Sequence, residues 1–206
     1  MSIDKRPGQF TVRDGLCDTH AEIVLHAACL FGTMGYTKTN IGEIAERVGM
    51  SPGNLYRYYR NKQAIGEEVV RCYLAQSERM MEAAVAAAGA RAEDRLRAIF
   101  SVGIGGLLDS LRENPRMVEL ADMICESDSG ILSAHLEWKT ALFVRVLRAG
   151  VESGEWSVAD PAAMAETVLD ASRGFWMPMA VAQLDPARVP DRVSGVLDAL
   201  IAGWRA

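Results

Sequence analysis

Residues 51–62 combine side chains that suit contact with a nucleic acid. Tyr56, Tyr58 and Tyr59 place three aromatic side chains on barely more than one helical turn. A hydrophobic core requires one of them, and we expect that one to be Tyr59. Phenol hydroxyls donate readily to phosphate oxygens, whereas Asn54 and Arg57 carry groups that hydrogen-bond to base edges in a major groove. The stretch therefore predicts a surface that binds double-stranded DNA.

Two short helices joined by a tight turn must position these groups. Thr39 or Asn40 is a typical capping residue for a helix that begins at Ile41, and Gly49 supplies the positive φ that a tight turn needs. Ser51 followed by Pro52 is a typical start for the next helix, over roughly residues 52–58. The expected shared inner face consists of Ile41, Ile44, Ala45, Val48, Met50 and Leu55. This spacing predicts a helix-turn-helix.

Three runs of sequence resemble the TetR family of regulators. They are Phe31-Gly-Thr-Met-Gly-Tyr-Thr-Lys-Thr39, Ile41-Gly-Glu-Ile-Ala-Glu-Arg-Val-Gly49, and Ser51-Pro-Gly-Asn-Leu-Tyr-Arg-Tyr-Tyr59 with Lys62. The resemblance covers residues 19 to about 67. It implies an all-α homodimer, in which an N-terminal three-helix helix-turn-helix domain is joined by a long helix to a C-terminal ligand-binding and dimerisation domain.

The resemblance also implies which residues meet DNA. Phosphate contacts fall on Thr39, Tyr56, Tyr58 and Lys62, and base contacts fall around Pro52, Gly53 and Asn54. Ser51 and Arg57 join these residues because their side chains can also hydrogen-bond to DNA. The expected DNA-binding residues are therefore Thr39, Ser51, Pro52, Gly53, Asn54, Tyr56, Arg57, Tyr58 and Lys62.

The rest of the pattern is helical throughout. We expect an arm at residues 1–17, the DNA-binding domain at 18–65 and the ligand-binding and dimerisation domain at 66–206. Asp18 or Thr19 is expected to cap the first helix, which buries Ile23, Ala27, Leu30, Phe31 and Met34. Asn61 is expected to cap a fourth helix that runs to about residue 88. Further helices are predicted at about 92–112, 115–127, 130–153, 161–183 and 188–204.

Charge is distributed unevenly along the chain. The net charge of −5 is unusual for a DNA-binding protein, but residues 1–66 carry eight Lys or Arg against six Asp or Glu. The remaining residues carry 14 against 21. Because phosphate contact needs only a local basic face, the acidic remainder confines DNA binding to the N-terminal part.

The last two predicted helices are expected to form the homodimer contact. Apolar residues Val193, Val196, Leu197, Leu200, Ile201 and Trp204 form a stripe on the last one, and small residues on the helix before it allow close approach. Packing within one subunit is the alternative. An apolar cavity for a small-molecule effector is expected to be lined by Phe100, Leu107, Met117, Met123, Trp138, Phe143, Trp176 and Met177, unless these residues form an ordinary core.

Other chemistries find little support in the sequence. Cys17, His20, His26 and Cys29 have metal-like spacing, but on one helix the two His residues lie about 120° apart, so no zinc site is expected. Cys29 is expected in the core. Asp122, Glu126 and His135 could orient a ligand or simply be solvated. Neither a cofactor nor an enzymatic activity is expected, because no nucleophile motif or carboxylate pair is present.

The sequence thus predicts a ligand-responsive repressor that binds a palindromic operator as a homodimer. The alternatives are a DNA-binding regulator without an effector and an enzyme on a helical scaffold. Four irregularly spaced cysteines and the lack of a long apolar run favour a soluble cytoplasmic protein without a membrane segment.

Overall fold

A computed structural model describes residues 10–127 and 129–205, with the side chain of Glu126 left out. Within these ranges the regular structure is entirely helical, which confirms the predicted all-α class. The helices are α1 (Asp18–Met34), α2 (Ile41–Val48), α3 (Pro52–Leu55), α4 (Lys62–Ala87), α5 (Ala92–Glu113), α6 (Met117–Glu126), α7 (Ile131–Glu152), α8 (Pro161–Trp176), α9 (Pro178–Val181) and α10 (Val189–Ala202). None of the described helices is long and apolar enough to cross a membrane.

Capping residues determine where several of these helices begin. The side chain of Asn61 accepts a hydrogen bond from Ala64 N at 2.8 Å at the start of α4, as predicted. Asp160 caps α8 by accepting from two backbone amides. The predicted cap of α1 was wrong, because Cys17 occupies that position and makes no side-chain capping bond.

Proline divides the predicted helix at 161–183. Met177 adopts φ −98° and ψ 118°, so α8 ends at Trp176 and the short α9 begins at Pro178. A residue that precedes proline avoids helical geometry because the ring crowds its backbone.

The chain folds as two compact units. Among the described residues, the first contains 10–76 and 109–131 without 128, and the second contains 77–108 and 132–205. Helices α4 and α5 therefore contribute to both units. The division differs from the expected division at residue 65 because the segment around α6 groups with the N-terminal helices.

The first unit is built on α1, α2, α3, α6 and the first half of α4. Its core contains Ile23, Val24, Ala27, Leu30, Phe31, Ile44, Ala45, Leu55, Tyr59, Ile65, Val69 and Leu120. The predicted buried face of α1 is thus confirmed except at Met34, which is 37% exposed. Cys29 was wrongly placed in the core, since it is exposed.

Part of the predicted N-terminal arm is attached to α4. The rings of Phe10 and Tyr73 lie 4.5 Å apart, and the guanidinium of Arg13 forms an ion pair with Glu68 at 2.5 Å. Residues 1–9 lie outside the described residues.

The second unit has an aromatic core. The ring centroids of Phe100 and Phe143 lie 5.4 Å apart, and the Trp176 ring lies 5.1 Å from Phe100. The carboxylate of Glu155 accepts from the backbone amides of Ala92 and Glu93 at 2.8 and 2.9 Å. This negative charge at the start of α5 complements the helix dipole.

Candidate nucleic-acid interface

The turn between α2 and α3 has the geometry that the sequence predicted. Asn40 and Glu43 form a reciprocal capping box at the start of α2. At its end Gly49 adopts φ 74° and ψ 30°, a left-handed conformation that costs side-chain-bearing residues energy. Ser51 then accepts a hydrogen bond from Asn54 N and begins α3. The inner face closes on Leu55, which is fully buried with Ile44 and Ala45.

One side of α3 and its flanks faces outward. Ser51, Pro52, Gly53, Tyr56 and Arg57 are exposed, Tyr56 to 52%. Apart from the adjacent residues and the helix's own backbone, no described heavy atom lies within 4 Å of the position that a Cβ on Gly53 would occupy, so another molecule can approach the backbone closely. These five predicted contact residues share one accessible surface.

Tyr58 and Tyr59 have different environments. Tyr59 is 8% exposed and belongs to the core, as expected. Burial raises the pKa of its phenol, and its hydroxyl has no hydrogen-bond partner among the described residues. Tyr58 is half-buried, and its ring packs edge-on against His20 with centroids 5.2 Å apart. The structure therefore leaves Tyr58, but not Tyr59, partly accessible.

Lys62 is half-buried, and its side chain is bonded to the protein's own backbone. Its ammonium donates to the backbone carbonyls of Tyr36 at 2.8 Å and Thr39 at 2.9 Å, with a longer contact to Thr37 at 3.4 Å. It also lies 4.4 Å from the centroid of the Tyr36 ring. Burial lowers its pKa. All three donors of the ammonium are thus directed at the loop between α1 and α2.

Thr39 is likewise turned inward. It is 1% exposed, and its hydroxyl donates to Gly35 O at 2.8 Å. Next to it, a carboxylate oxygen of Glu119 accepts from Thr37 N at 3.2 Å, and this backbone hydrogen bond is the largest cause that lowers the pKa of Glu119. The predicted phosphate contacts of Thr39 and Lys62 would require these side chains to exchange internal bonds for external ones.

Further cations lie on the surface near this turn. Lys38, Arg47 and Arg60 are exposed, as is Arg57. None of these four forms an ion pair with a residue that the structure describes. Arg60 lies between Glu46 and Glu67, in a stretch without acidic residues. Lys38 and Arg47 fall within the runs that resemble the TetR family but were assigned no DNA contact there, so only their exposure identifies them as candidates.

A groove on the second unit lies between α7 and α8. It has a volume of about 1240 Å³, and Leu136, Lys139, Val144, Leu169, Trp176 and Met177 are among its lining residues. Nearby, His135 Nδ1 lies 2.7 Å from Glu78 Oε1, and the His135 ring stacks on Trp138. This is an open site that a small molecule can reach.

Family models cover most of the chain. The model for "Bacterial regulatory proteins, tetR family" matches residues 23–69, which include the whole helix-turn-helix. The model for "Tetracyclin repressor-like, C-terminal domain" matches residues 92–197, slightly more than half of the chain. This chain belongs to the TetR family of bacterial transcriptional regulators. The resemblance in the sequence is thereby confirmed.

Solved structures of TetR-family regulators share the fold. A protein of Mesorhizobium loti MAFF303099, described as a TetR-family regulator, has a TM-score of 0.72 at 21% identity, with 91% of this chain and 97% of that chain covered. A TetR/AcrR-family regulator of Thermobifida fusca YX-ER1 has a TM-score of 0.67 at 21% identity, with 92% and 100% covered. SmeT in complex with triclosan has a TM-score of 0.64 at 18% identity, with 92% and 93% covered. SmeT is the repressor of the Stenotrophomonas maltophilia multidrug efflux pump SmeDEF.

These identities establish the fold alone. No curated protein sequence matches this TetR-family chain significantly.

The predicted cavity residues are not gathered around one space. Met117 and Met123 belong to the core of the first unit, whereas Phe100, Phe143 and the neighbouring Trp138 pack in the core of the second. Leu107 is half-buried. Trp176 and Met177 do line the open groove. Apolar composition alone could not distinguish the two cores, because both are built from the same residue types.

The polar candidates for ligand orientation also separate. Asp122 is half-buried in the first unit, and His135 is paired with Glu78 in the second. The side chain of Glu126 lies outside the described residues.

Proposed function

We propose that this TetR-family regulator is a repressor that binds a palindromic operator as a homodimer and is released by a small apolar or amphipathic effector. The observation that carries the proposal is the outward surface formed by α3 and the residues that follow it, where Tyr56 and Arg57 are exposed close in sequence to the uncovered backbone of Gly53. In a helix-turn-helix this second helix enters the major groove.

We propose a division of roles within the DNA contact surface. Ser51 through Asn54 and Arg57 read bases, because they occupy the exposed start of α3 and its flank. Tyr56 and Tyr58 donate to phosphates, and Lys38, Arg47 and Arg60 add electrostatic attraction.

Lys62 and Thr39 hold the α1–α2 loop in position in this proposal. Since the ammonium of Lys62 already has three carbonyl neighbours, we expect its replacement to weaken DNA binding by disturbing the loop rather than by removing a phosphate contact.

We propose that the dimer contact lies on α8 and α10 and is formed by their exposed small residues, not by the apolar stripe of the last helix. Of the predicted apolar stripe, Val193, Leu197, Ile201 and Trp204 are buried in the core of their own chain. Val196 and Leu200 are partly buried against that core, so most of the stripe needs no partner. Small residues exposed on these helices include Ala163, Thr167, Ala171, Gly174, Gly195, Ala199 and Ala202. Small residues let helices of two subunits approach closely.

Ultracentrifugation tests this contact. Ala171→Glu and Ala199→Glu should shift the protein from dimer to monomer, whereas Ala86→Glu, at an exposed position on α4, should not. Unchanged sedimentation of both α8 and α10 variants would place the dimer contact elsewhere.

Selection of binding sequences from fragmented genomic DNA, followed by fluorescence anisotropy on the enriched site, tests the repressor proposal. Enriched sites should be palindromic, with half-site centres about one helical turn or a multiple of it apart. Arg57→Gln should change sequence preference. Combined Tyr56→Phe and Tyr58→Phe should weaken binding to all sequences.

Salt dependence separates phosphate contacts from structural effects. Each lost contact between a Lys or Arg side chain and a phosphate should flatten the slope of log affinity against log salt by about 0.9, whereas loss of an uncharged Tyr hydroxyl should leave the slope unchanged. Lys62→Met should lower affinity with no such change in slope. Arg188→Gln should alter neither, because Arg188 is an exposed cation of the second unit that forms no ion pair with a described residue. Full affinity after replacement of Tyr56, Tyr58 and Arg57 together would refute the assignment of the DNA surface.

A further inference from the structure

The groove between α7 and α8 exposes apolar surface that is unusual for this chain. Leu132, Leu136 and Met177 line it, and they are 41%, 49% and 43% exposed. Val144, Leu169 and the Trp176 ring add further apolar surface. Contiguous exposed apolar patches mark sites where other molecules bind.

A buried cation lies on the wall of this groove. Lys139 is only 6% exposed, and its ammonium lies 4.1 Å from the centroid of the Trp176 ring. Within the described residues its nitrogen has neither a hydrogen-bond partner nor a carboxylate within ion-pair distance. Burial lowers its pKa to about 8. An ammonium with three donors and no acceptor gains from an anion placed in the groove.

The described carboxylates near Lys139 do not supply an acceptor for its ammonium. Glu78 is the carboxylate that acts on Lys139 through space, but it is hydrogen-bonded to His135 at 2.7 Å. Burial and the charge of Lys139 lower the pKa of His135, which favours its neutral form. The carboxylate of Glu78 therefore interacts with both His135 and Lys139.

Charges at the rim of the groove are exposed and nearly balanced. The carboxylates are those of Glu137, Glu152, Glu166 and Asp170. The guanidinium groups are those of Arg145, Arg148 and Arg173. Two of these cations are already paired, Arg145 with Glu82 and Arg173 with Asp170. Because exposed charges are screened by solvent and salt, the rim adds little to the attraction that the buried ammonium of Lys139 exerts on an anion.

We propose that the groove between α7 and α8 binds amphipathic carboxylates, with the carboxylate on Lys139 and the apolar chain along Leu136, Leu169 and Met177. The proposal rests on the proposed function, because it names the chemical class of the effector. A carboxylate supplies the acceptor that Lys139 lacks, and a charge-assisted bond in an apolar setting is strong. The chain covers the side chains that are now exposed.

Isothermal titration calorimetry with decanoate and 1-decanol tests this assignment. The two probes have the same chain length and differ in the charged head. The wild-type protein should bind decanoate about tenfold or more tightly than 1-decanol, since a hydrogen bond to a charged group contributes that much. Lys139→Met should remove this preference and leave 1-decanol binding unchanged, whereas Lys139→Arg should restore part of it.

Arg148→Met is the matched control, because it removes an exposed cation from the same groove. It should leave the preference for decanoate intact. The affinity of the wild-type protein for decanoate should also fall as the pH rises above about 8, the pKa of Lys139, and this decline should be absent in Lys139→Met.

Several results would overturn the proposal. They are equal binding of the two probes or no binding of either, full decanoate affinity in Lys139→Met, and an equal loss in Arg148→Met. A change of sedimentation in Leu136→Glu would instead identify the groove as a subunit contact and overturn it as well.

The calorimetry requires no DNA, so its failure is distinct from failure of the repressor proposal. If decanoate binds through Lys139 but the protein selects no DNA sequence, the proposal for the groove is supported and the repressor proposal is refuted.

Discussion

Replacement of Lys139 by methionine should stabilise the protein at neutral pH. The pKa of this lysine falls from its ordinary value of 10.5 to about 8, chiefly because of burial. This difference in pKa means that the buried charge destabilises the folded state by about 3 kcal/mol. Methionine loses the contact of the ammonium with Trp176, which is worth about 1–2 kcal/mol when desolvated. The net expected gain is about 1–2 kcal/mol.

The effect should depend on pH in a defined direction. Between pH 8 and 10.5 the unfolded chain still binds the proton that folded Lys139 has released, so wild-type stability relative to the variant rises across this window. Below pH 8 the full cost of the buried charge is present. The advantage of Lys139→Met should therefore be greatest near pH 7 and should shrink by pH 10.

Thermal unfolding followed by circular dichroism at several pH values measures this difference. A gain of 1–2 kcal/mol should raise the Tm by about 3–6 °C for a chain of this length. Lys38→Met is the control, because Lys38 is exposed and its removal should shift the Tm little at any pH. A difference between Lys139→Met and wild type that stays constant from pH 7 to 10, or a variant that is less stable at pH 7, would refute the reasoning.

Three further substitutions should change the free energy of unfolding, each measured by urea denaturation. Gly49→Ala should cost about 1 kcal/mol because φ is 74° there, and an unchanged midpoint would mean that the turn relaxes. Gly150→Ala should cost about 1–3 kcal/mol, because the new Cβ would overlap the Trp156 ring. An unchanged free energy of unfolding would mean that the ring has moved. Tyr59→Phe should stabilise by about 1 kcal/mol because it removes a buried hydroxyl without a partner, and a loss would indicate a bound water there.

Local rules account for the helix-turn-helix. Asn40, Gly49 and Ser51 act through their immediate neighbours, so their residue types predicted the caps and the turn that the structure has. These features depend on contacts within a few residues, which a sequence pattern records directly.

Long-range packing accounts for what the sequence did not predict. Lys62 donates to the backbone carbonyl of Tyr36, which lies 26 positions earlier in the chain, and no local pattern predicts this contact. Met117 and Met123 resembled cavity residues, yet tertiary packing places them in the first core. Pro178 is a local signal for a helix break, but the helix predicted at 161–183 continued through it.

The unit that contains the helix-turn-helix is not a continuous stretch of sequence, and this restricts how such proteins can be recombined. Near α6, a Cβ on Gly35 would lie 2.6 Å from the Glu119 carboxylate, and one on Gly66 would lie 2.8 Å from Met123. The segment of residues 109–131 is thus closely fitted to the N-terminal helices. A chimera that exchanges sensor domains at a single junction after residue 65 would give the DNA-binding helices a foreign α6. Three junctions, near residues 76, 108 and 131, would keep the unit whole.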